Sequence, residues 1–123
     1  PIMGTCAGMI LLGKVASNSR VETLELMEIE VRRNAYGRQV DSFETDLIIP
    51  VLGEERFRAV FIRAPIIERV GEKVEVLASL ANGNPVAVRE GNLVAAAFHP
   101  ELTPDSRFHH YFQEIVASAD RSS

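Results

Sequence analysis

Pro1-Ile2-Met3-Gly4-Thr5-Cys6-Ala7-Gly8-Met9-Ile10-Leu11-Leu12 is the stretch on which the reading of this chain turns. Residues 1–5 are short and apolar and read as the end of a buried strand. Residues 7–16 (AGMILLGKVA) read as a buried helix with Met9, Ile10, Leu11 and Leu12 packed inside. Cys6 lies between them in a Gly-x-Cys-x-Gly pattern. A nucleophile there occupies a tight strand-to-helix turn, with its side chain exposed at the sheet edge. The flanking glycines allow close backbone approach and unusual dihedral angles. The helix N-terminus behind the sulfur is expected to favour a thiolate. The N–H of Ala7 points where an oxyanion would form. A buried structural cysteine beside a helix start accounts for the same five residues, since free cysteines are often buried.

The second informative stretch is Phe98-His99-Pro100-Glu101-Leu102. It closes the near-continuous apolar run 93–98 (LVAAAF), which reads as a strand covered on both faces. His99 therefore falls at or just past a strand end, where open α/β sheets place their sites. Glu101 is near enough in sequence to hold the imidazole in one tautomer while His99 takes a proton from the thiol. A surface histidine beside a solvated glutamate is the alternative. Taken with Cys6, the pair completes the parts of a cysteine acyl-transfer site. His109 and His110 fall in an amphipathic segment and read as packing or surface residues.

Strands dominate the rest. Residues 26–33 (LMEIEVRR) alternate apolar and polar from Met27 to Val31, the period of a half-buried strand. Residues 17–23 and 34–42 read as loops or turns. Residues 43–49 form a candidate strand, and residues 58–63 (RAVFIR) another, ended by Ala64-Pro65. Residues 73–80 and 86–89 are strands joined through an Asn82-Gly83 turn. A last helix is expected with Thr103 as N-cap and Pro104 at its first position. Phe108, Tyr111, Phe112, Ile115 and Val116 would share its inner face. The class is α/β, yet a sheet covered on both faces needs more helices than these residues supply.

With 123 residues, 46% hydrophobic and 24% charged, the composition is that of an ordinary globular protein with room for one domain. A net charge of −4 gives no basic field for nucleic acid or an anionic membrane. No apolar run approaches the roughly 20 residues of a membrane span. The single cysteine permits no internal disulfide and fits a reducing, cytoplasmic compartment. There is no Cys/His cluster with metal-ligand spacing, no Walker loop and no dinucleotide fingerprint.

Gly-x-Cys-x-Gly followed by a distant His-Pro-Glu resembles the class I, triad-type glutamine amidotransferases. Residues 33–39 (RNAYGRQ), 41–44 (DSFE), 61–65 (FIRAP) and 98–103 (FHPELT) narrow the resemblance. With residues 4–12 they are similar to the glutaminase subunits of pyridoxal 5'-phosphate synthases, in order along nearly the whole chain. The resemblance implies the C-terminal part of a flavodoxin-like domain, a mixed sheet flanked by helices. It implies that Cys6 is the nucleophile, His99 the general base, Glu101 its orienting partner and Ala7 an oxyanion donor. Arg33, Ile62 and Arg63 match glutamine-binding positions. It implies hydrolysis of L-glutamine to glutamate and ammonia with no cofactor or metal. The ammonia would pass to a barrel-shaped pyridoxal 5'-phosphate synthase subunit.

Family members also carry upstream strands and a glutamine-binding Gly-Gly-Glu-Ser-type loop that nothing in residues 1–123 matches. The expectation is therefore a partial glutaminase domain that neither folds stably nor turns over glutamine by itself. Two other readings stay open: a catalytically silent module that docks on the synthase, and another class I amidotransferase or cysteine hydrolase.

Overall fold

A computed structural model describes residues 1–15, 22–32 and 42–122, and the side chains of these up to residue 120. The strand β1 (Ile2–Thr5) leads through Cys6 into the helix α1 (Ala7–Leu12). A short β2 (Lys14–Val15) follows, then β3 (Ile29–Arg32), β4 (Ser42–Leu47), β5 (Phe57–Ile62), β6 (Ile66–Val70), β7 (Glu75–Ser79), β8 (Pro85–Glu90) and β9 (Leu93–Ala96). The last element is α2 (Arg107–Ser122).

β9 is the strand around which the site is built. It runs parallel to β1 on one side and antiparallel to β8 on the other, and β7 completes the order β1-β9-β8-β7. Val94, Ala95, Ala96, Ala97 and Phe98 are all fully buried, as the continuous apolar run predicts. β1 has a ladder partner on one side only among the described residues, and Ile2 is exposed, so the expectation of a buried strand holds for Gly4 but not for its start. A second sheet joins β2, β3 and β6, with β2 and β3 parallel and β6 antiparallel. Met27, Ile29 and Val31 are buried in alternation, the pattern read from the sequence. β4 and β5 form an antiparallel pair from Ser42↔Ile62 to Leu47↔Phe57. At the β7–β8 turn Gly83 takes φ 91°, and Asn84 donates its N–H to the Asn82 side chain at 2.9 Å.

Several sequence expectations are corrected. The first helix stops at Leu12 instead of continuing to residue 16. A Cβ at Gly13 would lie 2.6 Å from Ile29, so the chain is already in contact with β3 and turns into β2. Met9 and Leu12 are buried, but Leu11 is exposed. The strand expected over residues 43–49 ends at Leu47. β6 was not expected. The last helix starts at Arg107, and neither Thr103 nor Pro104 occupies its first turn. Asp105 accepts the Arg107 N–H at 3.0 Å, and the Ser106 carbonyl accepts from His110 at 3.0 Å, so the cap lies three residues later than expected.

An aromatic cluster fixes where β9 ends. The Phe98 ring lies 5.6 Å from Phe57, 5.8 Å from Phe61 and 5.3 Å from Phe108, centroid to centroid. Phe43 stacks on Phe61 at 4.5 Å. Such pairs contribute about 0.5–1.5 kcal/mol each beyond their burial. They join β5, the end of β9 and α2 directly beneath His99. Tyr111 on α2 is tied to the β8–β9 hairpin by Arg89, which donates to its hydroxyl at 3.0 Å.

The two glycines around Cys6 do different work. A Cβ on Gly4 would lie 2.6 Å from the Gly8 carbonyl oxygen and 2.8 Å from Leu12, whereas one on Gly8 meets nothing within 4 Å. Gly4→Ala is therefore expected to destabilise the fold by about 1–3 kcal/mol, because backbone must move. Gly8→Ala should be neutral or stabilising by up to about 1 kcal/mol through helix propensity. Denaturant melts of the two variants check this, and equal melting midpoints would remove the proposed strand–helix contact.

Candidate active site

Cys6 has φ 54° and ψ −106°, a region that a residue with a Cβ seldom enters and that costs on the order of 1–3 kcal/mol. It is held there from both sides. Its N–H donates to Ala96 at 2.9 Å, continuing the β1–β9 ladder, and its carbonyl accepts from Ile10 at 3.2 Å, opening α1. The contact of Gly4 with Gly8 closes the turn. This is the strained elbow that the Gly-x-Cys-x-Gly spacing predicts.

The sulfur departs from two expectations. It is buried, with 9% of the residue's surface accessible, and not exposed at the sheet edge. It donates to the Ala97 carbonyl at 3.3 Å. Burial first, and the negative charge of Glu101 second, push the thiol from its ordinary 9.0 up to about 11. A six-residue helix behind it does not outweigh these two effects. Cys6 thus rests as a thiol.

His99 and Glu101 lie just past β9. Because β1 and β9 are parallel and in register from Ile2↔Leu93 to Thr5↔Ala96, both strands deliver their next residues to the same edge. His99 Nδ1 and a Glu101 carboxylate oxygen are 2.8 Å apart. An ionised carboxylate only accepts, so Nδ1 carries the proton toward Glu101 and Nε2 is the ring nitrogen left facing away from it. Burial works to raise the Glu101 carboxyl. The His99 hydrogen bond, its own backbone N–H and the charges of His99 and His109 outweigh that and hold it below its usual range. The His99 backbone is fixed as well: its N–H donates to Val60 at 2.8 Å and its carbonyl accepts from Leu102 at 3.1 Å.

The Val60 bond brings the end of β5 beside the pair. Ile62, the last residue of β5, is exposed, and Arg63 follows with φ 44°, like Cys6 a non-glycine residue at positive φ. Ala7 is the first residue of α1, so its N–H has no carbonyl partner within the helix. Arg33 lies outside the described residues, as do residues 34–41. His109 is half-buried and His110 exposed on α2. The backbone acceptors Ala97 and Val60 left no mark in the sequence, since carbonyl groups are common to every residue. Among the described residues no group of His, Cys, Asp or Glu could hold a metal ion, and no helix is long and apolar enough to cross a membrane. Two surface hollows, of about 440 Å³ over Met27 and Ile29 and about 280 Å³ beside Leu47 and Leu80, are lined without any of these site residues.

Comparison with known proteins places this geometry. A sequence profile described as the SNO glutamine amidotransferase family matches residues 1–118. A pyridoxal 5'-phosphate synthase subunit PdxT from Herpetosiphon aurantiacus is 65% identical over 115 residues, covering 91% of this chain and 60% of the relative. The protein of the same name from Dehalococcoides mccartyi is 60% identical over 118 residues, with 94% and 60% covered. A solved structure titled as a glutamine amidotransferase superposes with a TM-score of 0.87 at 51% identity, covering 94% of this chain and 60% of that one. The chain therefore spans about 60% of the length of the relatives it matches. With the profile matched over nearly its entire length, this chain belongs to the SNO glutamine amidotransferase family.

Proposed function

We propose that this chain carries the nucleophile and proton-transfer machinery of a glutaminase that serves pyridoxal 5'-phosphate synthesis. In this reading Cys6 attacks the side-chain amide carbon of L-glutamine. His99 Nε2 takes the thiol proton, and the Ala7 N–H donates to the oxyanion. Collapse of the tetrahedral intermediate, with the proton passed from His99 to the leaving nitrogen, releases ammonia and leaves a glutamyl thioester. Water then attacks the thioester with His99 as base, giving glutamate and the free thiol. Glu101 keeps Nδ1 protonated and stabilises the imidazolium. Ile62 and Arg63, with Arg33, would contact glutamine. The ammonia would pass to a barrel-shaped synthase subunit in the cytoplasm.

The observation that carries this reading is the strained, buried Cys6 thiol at the end of one strand, with the 2.8 Å His99–Glu101 pair at the end of its parallel neighbour. The identity to proteins named as synthase subunits supports the substrate and the partner.

Tests belong on the protein at the full length of those relatives. Cys6→Ala should abolish glutamine hydrolysis while the melting temperature hardly changes, and an electrophilic glutamine analogue should label Cys6 alone. His99→Ala should cost nearly as much. Glu101→Gln should cost less than His99→Ala, though up to about 10⁴-fold. Greater damage from His109→Ala than from His99→Ala would show that the wrong histidine has been assigned.

Added synthase should raise glutaminase turnover, since ordering one further oxyanion donor is worth about 10²–10³ in rate. Equal turnover with and without synthase would point to a different acceptor for the ammonia.

The raised thiol also predicts an alkaline limit to stability. The unfolded chain gives up the Cys6 proton near 9.0, whereas the folded chain holds it to about 11. Between those values the unfolded state binds fewer protons, so stability falls as pH rises. Cys6→Ala should flatten this part of the stability–pH curve. A parent and variant that decline in parallel from pH 9 to 11 would rule out the buried thiol as the cause.

A further inference from the structure

We propose that Asp105 and Arg107 are positioning residues for the His99–Glu101 pair, an inference that rests on the glutaminase reading of that pair. Arg107 uses its whole guanidinium. Nε and Nη2 bind the Asp105 carboxylate at 3.0 and 2.7 Å. Nη1 donates to the carbonyls of Glu55 at 3.0 Å and Leu52 at 3.4 Å, and Nη2 donates to that of Arg56 at 3.0 Å. Three carbonyls from one loop and a two-point carboxylate are a large commitment for a side chain that is only partly exposed.

The location gives the clamp its purpose. Phe57 follows Arg56 directly and opens β5, the strand whose Val60 carbonyl holds the His99 N–H. On its other side, the Asp105 carboxylate accepts the Arg107 N–H at 3.0 Å, and the Asp105 N–H reaches the Thr103 hydroxyl at 3.4 Å. Thr103 ends the single helical turn Pro100–Leu102 that contains Glu101. The loop from His99 to Ser106 is thus held at two places, by Val60 of β5 at its start and by the Arg107 clamp to the segment just before β5 at its end. Glu101 lies between them with an exposed side chain. Its direction toward Nδ1 depends on the loop being held at both ends. With the clamp loosened, the loop would keep its β9 end and the Val60 bond but lose its hold at the far end, and the carboxylate would be freer to leave the geometry that fixes the His99 tautomer.

Arg107→Lys keeps the positive charge but cannot supply the planar fork. Asp105→Asn keeps the shape and removes the carboxylate charge. Both are milder than truncation, and each serves if the other fails to fold. In the full-length protein each should lower kcat for glutamine about 10–100-fold, the scale of a small misplacement of a catalytic group, with KM within about twofold. The same substitution made in a Glu101→Gln background should add little, because the two act through one pair. A lowered melting temperature with unchanged kcat, or a full additive loss in the Glu101→Gln background, would make the clamp purely structural and overturn the proposal. If the parent hydrolyses no glutamine, the glutaminase reading falls, and the clamp is judged by iodoacetamide alkylation of Cys6 near neutral pH. Slower alkylation in Arg107→Lys, with no further slowing in a His99→Ala background, supports positioning. An unchanged rate refutes it.

Discussion

The parallel ladder between Ile2–Thr5 and Leu93–Ala96 is the constraint on which the rest of the molecule depends. A strand places successive side chains on opposite faces, so a one-residue slip would turn Cys6 away from Ala97 and His99. The register is secured by packing on both sides. Gly4 admits the backbone of Gly8, and the small residues Ala95, Ala96 and Ala97 fit a strand covered on both faces. Phe98 then inserts among Phe57, Phe61 and Phe108, fixing the point at which β9 ends and the loop bearing His99 begins.

Two features meet at Cys6. Its backbone occupies a disfavoured region, and its sulfur is buried as a thiol against a carbonyl. An ordinary core position avoids the first, whereas the second is common for a free cysteine. Together they describe a group kept in a high-energy posture but in its unreactive protonation state. That arrangement limits adventitious oxidation and alkylation, which act on the thiolate.

The sequence disclosed the parts of this structure that are governed by local pattern. The alternation in residues 27–31, the apolar run before His99 and the Asn82-Gly83 turn each matched the observed elements. The errors arose where tertiary contacts overrode a local preference. Residues 7–16 carry an apolar run compatible with a helix, but the fit of Gly13 against Ile29 ends the helix at Leu12. Thr103-Pro104 has the composition of a helix start, yet the clamp through Arg107 draws the start to a later position. β6, IIERV after a proline, is short and lacks strict alternation, and it is defined by pairing with β3. The motif spacing pointed to Cys6, His99 and Glu101. The raised thiol could not be foreseen, because it comes from burial by distant residues and from the charge of a glutamate 95 positions away in the chain.

The thiol and the carbonyl it binds are separated by 91 residues. Contacts of that span close a large loop and are formed late, since the entropy of the intervening chain opposes them. Cys6 is synthesised before β9 and the His99 loop. Until β9 docks, the chain holds an isolated cysteine of ordinary acidity with no base beside it. The juxtaposition of Cys6 with Ala97 and the His99 loop is therefore a property of the folded topology and is absent from nascent or locally unfolded chains.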